Sequence, residues 1–455
     1  MTLSRATDSA GVFFTEIKLA ENVAEKIEIE KLAQGGDGLG HLSDGRVVFV
    51  RGAVPGDVVD VELETDKKRW ARGRVSARRE SSQARTSVEC DAFERGCGGC
   101  QYWGVDYESE IKWKADAARE AIERISGLDL PRPEVVAAPS VWDYRSRVTL
   151  HQRRVDDSIQ SGFYEAGSRR IVELDRCPVA RSEIDGAIAE FSGVLSILGN
   201  ADIGIETTGD GGAVLLIELG SGERIKRPHL EEIARHIDQG TGVRGAELLD
   251  EEENYYVIGD TTVDIAEVLA QPPVEGMRVE SGRFRQANKE INRRLVAHVA
   301  QRVAEGWENP RILELYCGSG NFSFALAENA ERLVGFEMSR GAVETARRIA
   351  ELAEDIDHLS FDVADLDDPD AVAKVLAEPF EVLVLDPPRE GAAEVARQLA
   401  SSERQGQIIY VSCDAACLAR DLKTLAGAGW RLQELSFFDL FPRTAHLEVV
   451  AVMDR

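Results

Sequence analysis

Cys413 closes the apolar run QIIYVSC, and Glu448 follows FPRTAH at the head of the final apolar run, so a thiol nucleophile and a carboxylate base are both delivered at strand ends. Asp386 ends a third run, FEVLVLD, and the two prolines of PPREG fix the chain as it leaves toward Arg389. These residue types suit a carbon that is not nucleophilic on its own. A thiolate adding to C6 of a pyrimidine makes C5 enolate-like, C5 attacks a sulfonium methyl, and a base then removes the C5 proton so that the thiol can leave. His446, two residues before Glu448 on the same strand face, is the alternative base. Glu448 is preferred because a carboxylate in a closed cleft can be tuned upward to abstract a proton. Cys413 is expected near a helix N-terminus, which favours thiolate. Each residue also has a plainer reading: a small core thiol, an edge-strand acid, a helix-capping Asp.

A methyl donor needs its own site. In ELYCGSGNF a strand ends at Tyr316, and Gly318 and Gly320 let backbone approach a ligand. Glu337 closes the next strand, where an acid can accept from both ribose hydroxyls. A dinucleotide fingerprint would want a third small residue three positions after Gly320, and Ser323 fits it imperfectly. S-adenosylmethionine, which requires no pyrophosphate clamp, fits better. Asp362 and Asp365 follow the third strand, and Asp365 is the preferred contact for the adenine amino group. Gln286, in FRQANKEINRRL, precedes a helix expected beside the cleft, where its amide can hold the cofactor or the base. Cys317 and Cys417 are assigned to packing.

The elements that must position these residues are an alternation of strands and helices from about residue 273. RILELYC, LVGFEM, LSFDV, FEVLVLD and QIIYVSC are each followed by a helix-like segment, which predicts a doubly wound α/β sheet with ligands at the carboxyl ends of its strands. Two closing strands without an intervening helix predict the antiparallel edge hairpin of class I methyltransferases. Residues 1–24 read as a mobile tail. Residues 25–84 carry short alternating stretches between Gly, Asp and Pro turns, the pattern of a small β-barrel of oligonucleotide-binding type. Residues 85–272 are expected to form a mixed α+β central domain holding four of the seven cysteines, and 273–455 the catalytic domain.

A net charge of −27 over 455 residues weighs against nucleic-acid binding. Local clusters offset it: Lys67, Lys68, Arg69, Arg72, Arg74, Arg78, Arg79 and Arg85 in one segment, and Arg145, Arg147, Arg153 and Arg154 in another. The plainer reading of both is a solvated face. No apolar run is long enough to cross a bilayer, and an odd cysteine count without a secretion signal argues for reduced thiols, so a cytoplasmic monomer is expected.

Taken in order and spacing, ELYCGSGNF, GFE, LDPPREG, YVSCDAACLARDL and FPRTAHLE resemble the RNA uracil-5-methyltransferase family. The barrel resembles a TRAM domain, and barrel plus cysteine cluster resemble the branch that modifies 23S ribosomal RNA; transfer RNA is the alternative substrate. The resemblance implies that Gln286, Tyr316, Asn321, Glu337 and Asp365 contact S-adenosylmethionine, that Asp386 serves the cofactor and uracil cleft, and that Cys413 is the nucleophile and Glu448 the base. This chain reads SCDA where the family reads SCNP, so Asp414 is expected to turn away from the thiol, whose pKa a facing carboxylate would raise.

CDAFERGCGGC followed by Cys177-Pro178 gives three near thiols and one distant one. A zinc ribbon wants two close pairs, whereas an iron–sulfur cluster accepts this spacing. The resemblance implies a 4Fe–4S cluster on Cys90, Cys97, Cys100 and Cys177, with a structural and RNA-positioning role. Three rivals remain. A cytosine-5-methyltransferase would carry a second cysteine in the DPPREG loop, a non-catalytic RNA-binding protein would not need Cys413 and Glu448, and a dehydrogenase would lack the terminal hairpin.

Overall fold

The computed structural model describes residues 25–455 apart from positions 241 and 355, and the expected tail, residues 1–24, lies outside them. Contacts divide the chain into two compact units that part near residue 83. In the first unit six strands run from Glu25–Glu28 to Trp70–Glu80 in one sheet. Alternation drives it: Val48 and Val50, Val59 and Val61 turn inward onto Ile27, Ile29 and Ala71. Gly73 sits where a Cβ would lie 2.4 Å from the Glu62 carbonyl oxygen, so only glycine lets these strands approach. Much of the basic segment is neutralised within the barrel. Arg72 pairs with Asp37 at 3.2 Å, Arg74 with Glu62 at 2.7 Å, Arg78 with Asp57 at 3.4 Å and Arg79 with Asp60 at 2.5 Å.

The second unit holds two large sheets. A seven-stranded sheet, from Arg147–Val155 to Tyr255–Gly259 with helices Ser182–Leu195 and Arg227–Asp238, is the mixed α+β region expected from the sequence. An eight-stranded sheet carries the catalytic candidates. Its order is Leu359–Val363, Arg332–Glu337, Arg311–Leu315, Val382–Leu385, Gln407–Ser412, Glu448–Asp454, Arg431–Phe438, Glu134–Val136. The first five strands are mutually parallel, and Glu448–Asp454 enters antiparallel between Gln407–Ser412 and Arg431–Phe438. Both faces are apolar, with Ile312, Val384 and Ile409 on one side and Leu313, Leu383 and Ile408 on the other, as a sheet covered twice requires.

Two pieces from the segment read as central domain pack on this sheet instead. Helix Tyr107–Ser126 lays Ile111, Ala115, Ala118 and Ile122 against it, and Glu134–Val136 extends its edge parallel to Arg431–Phe438. The packing therefore crosses the expected boundary at residue 273. Among the described residues no helix is long and apolar enough to cross a membrane.

Candidate active site

A cavity of about 1330 Å³ opens at the carboxyl ends of the parallel strands, and all eight residues singled out for catalysis or cofactor binding line it. Strand Arg311–Leu315 runs out into Tyr316, whose φ of 62° is unusual for a residue with a Cβ, followed by Gly318 and Gly320 at φ 56° and 94°. That reversal aims the Gly318 N–H at Oε2 of Glu337, 3.2 Å away, while Ser339 N–H donates to Oε1 at 2.8 Å. One carboxylate thus ties the glycine turn to the end of the next strand, and each oxygen keeps a lone pair for a hydroxyl. Asn321 is more committed than the sequence suggested. Its Oδ1 accepts from Asn292 Nδ2 at 2.9 Å and from Ala270 N at 3.2 Å, and its own Nδ2 donates back to Asn292 at 2.9 Å.

The two aspartates differ in placement. Asp362 pairs outward with Arg347 at 2.7 Å, whereas Asp365 lines the cavity and accepts from Asp367 N at 3.0 Å. Gln286 is buried and lines the cavity. Cys317 is packed among Phe324, Phe361 and their neighbours with its thiol pKa pushed well up by burial, in keeping with a packing role, and Cys417 is half-buried beside Asp414 and Arg420.

Cys413, Asp386 and Glu448 converge from three adjacent strands of the sheet. Glu448 is only 4 % exposed, and its Oε2 has no hydrogen-bond partner among the described residues. Burial first, then the neighbouring Asp386 charge, raises its pKa to about 8, with Arg389 pulling the other way. Burial also lifts Asp386 to about 7. The Cys413 thiol is pushed up to about 12 by burial and by those two carboxylates, against the pull of Arg389.

This corrects the expectation that a helix N-terminus favours the thiolate. The helix Ala415–Gly427 is present, but Asp414 occupies its N-terminus, with Oδ1 accepting from Ala416 N at 3.0 Å and Cys417 N at 2.8 Å. The same cap explains why Asp414 does not face the thiol. His446 is held down to about 4 by burial and by Arg389, whose Nη2 lies 3.4 Å from its Nε2.

Two participants escaped the sequence reading. Glu314 is fully enclosed in the strand before the glycine turn, where Ser323 Oγ donates to it at 2.5 Å and burial lifts its pKa to about 8. A charge inside the apolar run RILELY was the available signal. The turn 441–446 before Glu448 is gripped by groups more than three hundred residues away in sequence, for which no local signal exists.

Stability should report the buried base directly. A carboxyl raised from 4.5 to about 8 favours the folded state while protonated, so that contribution is present at low pH and fades as pH rises through about 8. Glu448→Gln should therefore gain thermal stability relative to wild type as pH increases from 5 to 9. A difference that stays flat over that range would place the carboxylate in water.

The four cysteines Cys90, Cys97, Cys100 and Cys177 border the same cavity on the side of the seven-stranded sheet. Burial raises Cys100 and Cys177, the latter to about 11, and the thiols act on one another: Cys100 on account of Cys177 and Cys97, and Cys97 and Cys177 on account of Cys90. The backbone amides of Val179 and Ala180 favour the Cys177 thiolate, and the Ala180 N–H donates to the Cys177 carbonyl at 2.9 Å. Among the described residues no three His, Cys, Asp or Glu side chains are grouped so as to hold a metal ion.

Comparison with known proteins agrees with this geometry. The tRNA (Uracil-5-)-methyltransferase family matches residues 271–364 and 373–455, and the TRAM domain matches residues 25–76. A 23S rRNA (uracil(1939)-C(5))-methyltransferase of Methylococcus capsulatus is 32% identical, over 94% of this chain and 96% of its own length. An uncharacterized RNA methyltransferase of Gloeobacter violaceus is likewise 32% identical, over 94% and 96%. The crystal structure of Pyrococcus abyssi tRNA (uracil-54, C5)-methyltransferase in complex with S-adenosyl-L-homocysteine superposes with a TM-score of 0.69 at 24% identity, covering 94% of this chain and all of that one.

Proposed function

The chain belongs to the RNA uracil-5-methyltransferase family, built on a class I methyltransferase fold with an N-terminal TRAM domain, and from that premise we propose a covalent mechanism, a residue assignment and a 23S ribosomal RNA substrate. The target uridine, turned out of its stack, enters the cleft between Cys413, Asp386 and Glu448. Cys413 Sγ forms a bond to C6 while its proton passes to Asp386, the other carboxylate beside it. The electron pair released to C5 takes the methyl of S-adenosylmethionine, leaving S-adenosylhomocysteine. Glu448 then removes the C5 proton, that pair restores the C5–C6 double bond, and the Cys413 sulfur departs.

The observation that carries this reading is the unpartnered Glu448 oxygen beside Cys413 in the cavity at the strand ends. A carboxylate near 8 is a strong base for its class and still ionised in part at neutral pH. The thiol at about 12 stays protonated until substrate arrives, which protects it from stray chemistry. Asp386, half-buried on the cavity wall, hydrogen-bonds the uracil, while Glu337 takes the ribose, Asp365 the adenine, and Gln286 and Tyr316 the remaining cofactor walls. Asn321 acts through Asn292 and Ala270 to hold the glycine turn.

The curated relative from Methylococcus, similar over nearly its whole length, supports ribosomal over transfer RNA, since the likeness to the Pyrococcus enzyme is one of fold. In the barrel, Lys67, Lys68 and Arg69 stand exposed in the turn before the strand that starts at Trp70, itself 38% exposed, and offer cations and a stacking ring to single-stranded RNA. Mapping 5-methyluridine in 23S and transfer RNA from cells with and without this protein tests the assignment. Loss of one 23S position is expected; loss confined to transfer RNA would move the substrate.

Four thiols on one cavity wall, three of them buried and Cys100 half-buried, with Trp103 and Tyr144 as an apolar backing, suit a 4Fe–4S cluster rather than a single ion, for which no three of them stand close enough. Such a cluster would supply a rigid cross-link between the 90–100 loop and Cys177, and the methylation requires no electron from it. Protein isolated without oxygen should be brown, with about four irons per chain. A colourless, zinc-loaded protein would remove the cluster from the account.

A further inference from the structure

We infer that Gln101, the residue after Cys100, is a positioning residue for the Glu448 base, acting through the turn 441–446; the inference rests on the mechanism proposed above. Gln101 Oε1 accepts the Ala445 N–H at 2.9 Å, and the backbone N–H groups of Gln101 and Tyr102 both donate to the Arg443 carbonyl, at 2.7 and 3.1 Å. Arg443 holds a φ of 69°, a left-handed conformation that a residue with a Cβ keeps only when its surroundings impose it. The surroundings are visible. Its N–H donates to Glu110 Oε1 at 2.6 Å, its guanidinium donates to Glu110 Oε2 at 2.9 Å and Val105 O at 2.8 Å, and the cation lies 5.3 Å from the Trp103 ring. Tyr144 Oη donates to the Pro442 carbonyl at 2.9 Å, and Lys114 Nζ donates to the Phe441 carbonyl at 3.2 Å.

Among the described residues, the turn's own bonds run from Thr444 to the Phe441 carbonyl and from His446 N to Thr444 Oγ1. The outer grip therefore comes from helix Tyr107–Ser126, from Tyr144 and, at Arg443 and Ala445, from Gln101 and Tyr102 beside Cys100. Two residues separate Ala445 from Glu448, whose unpartnered oxygen has no bond of its own to keep it aimed. Aim must come from the backbone, and the backbone's last external anchor before the strand is the Gln101 amide oxygen. Proton removal from C5 depends on that aim, whereas thiol addition and methyl transfer, which use Cys413 on another strand, do not.

A step-specific defect follows, and it separates positioning from mere folding. With full-length protein, unmodified 23S RNA transcribed in vitro and methyl-labelled S-adenosylmethionine, Gln101→Met keeps the side-chain volume and loses the acceptor. It should transfer methyl in the first turnover at close to the wild-type rate yet accumulate denaturant-stable protein–RNA adduct at least about tenfold over wild type. Gln101→Glu, which keeps an acceptor for Ala445 N–H, should return adduct to the wild-type level, and both variants should keep wild-type iron content. Glu448→Gln provides the reference, since it should accumulate adduct most strongly. If Glu448→Gln traps adduct and Gln101→Met does not, the inference is overturned while the mechanism stands. If Gln101→Met slows every step together or loses its iron, Gln101 serves folding and the inference is overturned as well. Absence of adduct even with Glu448→Gln would overturn the mechanism and this inference with it.

Discussion

Cys413→Ala should bind S-adenosylmethionine with close to wild-type affinity and methylate no RNA, the rate falling by at least about four orders of magnitude. The proposed cofactor contacts lie on other strands, at the glycine turn and Glu337. Without sulfur at C6, C5 of uracil never becomes electron-rich enough to attack a methyl sulfonium. Cofactor binding by calorimetry and methyl incorporation by radiolabel read the two halves separately. Retained turnover would refute covalent catalysis, and lost cofactor binding would show that Cys413 supports the fold around the donor.

Glu448→Gln should fail later in the same sequence. Addition, with Asp386 taking the thiol proton, and methyl transfer precede the need for Glu448, so this variant should consume one equivalent of S-adenosylmethionine and stop, with RNA bound through a thioether. Release should slow by about two to four orders of magnitude, the usual worth of a general base. His446 offers little relief, because burial and Arg389 hold its pKa down to about 4 and leave it a weak base. Steady multiple turnover by Glu448→Gln would transfer the role to another group, Asp386 at about 7 being the nearest candidate.

Strand ends and their cargo were legible because apolar runs of period and length typical of buried parallel strands stop at Cys413, Asp386, Glu337 and Tyr316, and such a sheet puts those ends on one edge. The closing hairpin was legible for the same reason. Charge states were not. The sequence placed Cys413 before a helix and suggested a thiolate, yet Asp414 takes the helix amides and the enclosing carboxylates push the thiol up. Such an outcome depends on burial, which no local pattern encodes. Nor did the segment 85–272 announce that its helix Tyr107–Ser126 and strand Glu134–Val136 pack on the catalytic sheet, or that Glu110 and Lys114 from that helix reach Arg443 and Asp439. Those pairs are over three hundred residues apart in sequence.

The adduct formed by Glu448→Gln with RNA and S-adenosylmethionine, digested with protease and nuclease and weighed by mass spectrometry, tests the covalent assignment at its root. The peptide containing Cys413 should carry one uridine nucleotide with one added methyl group. Methylated RNA recovered with no nucleotide on that peptide, or a nucleotide found on Cys317 or Cys417 instead, would contradict it.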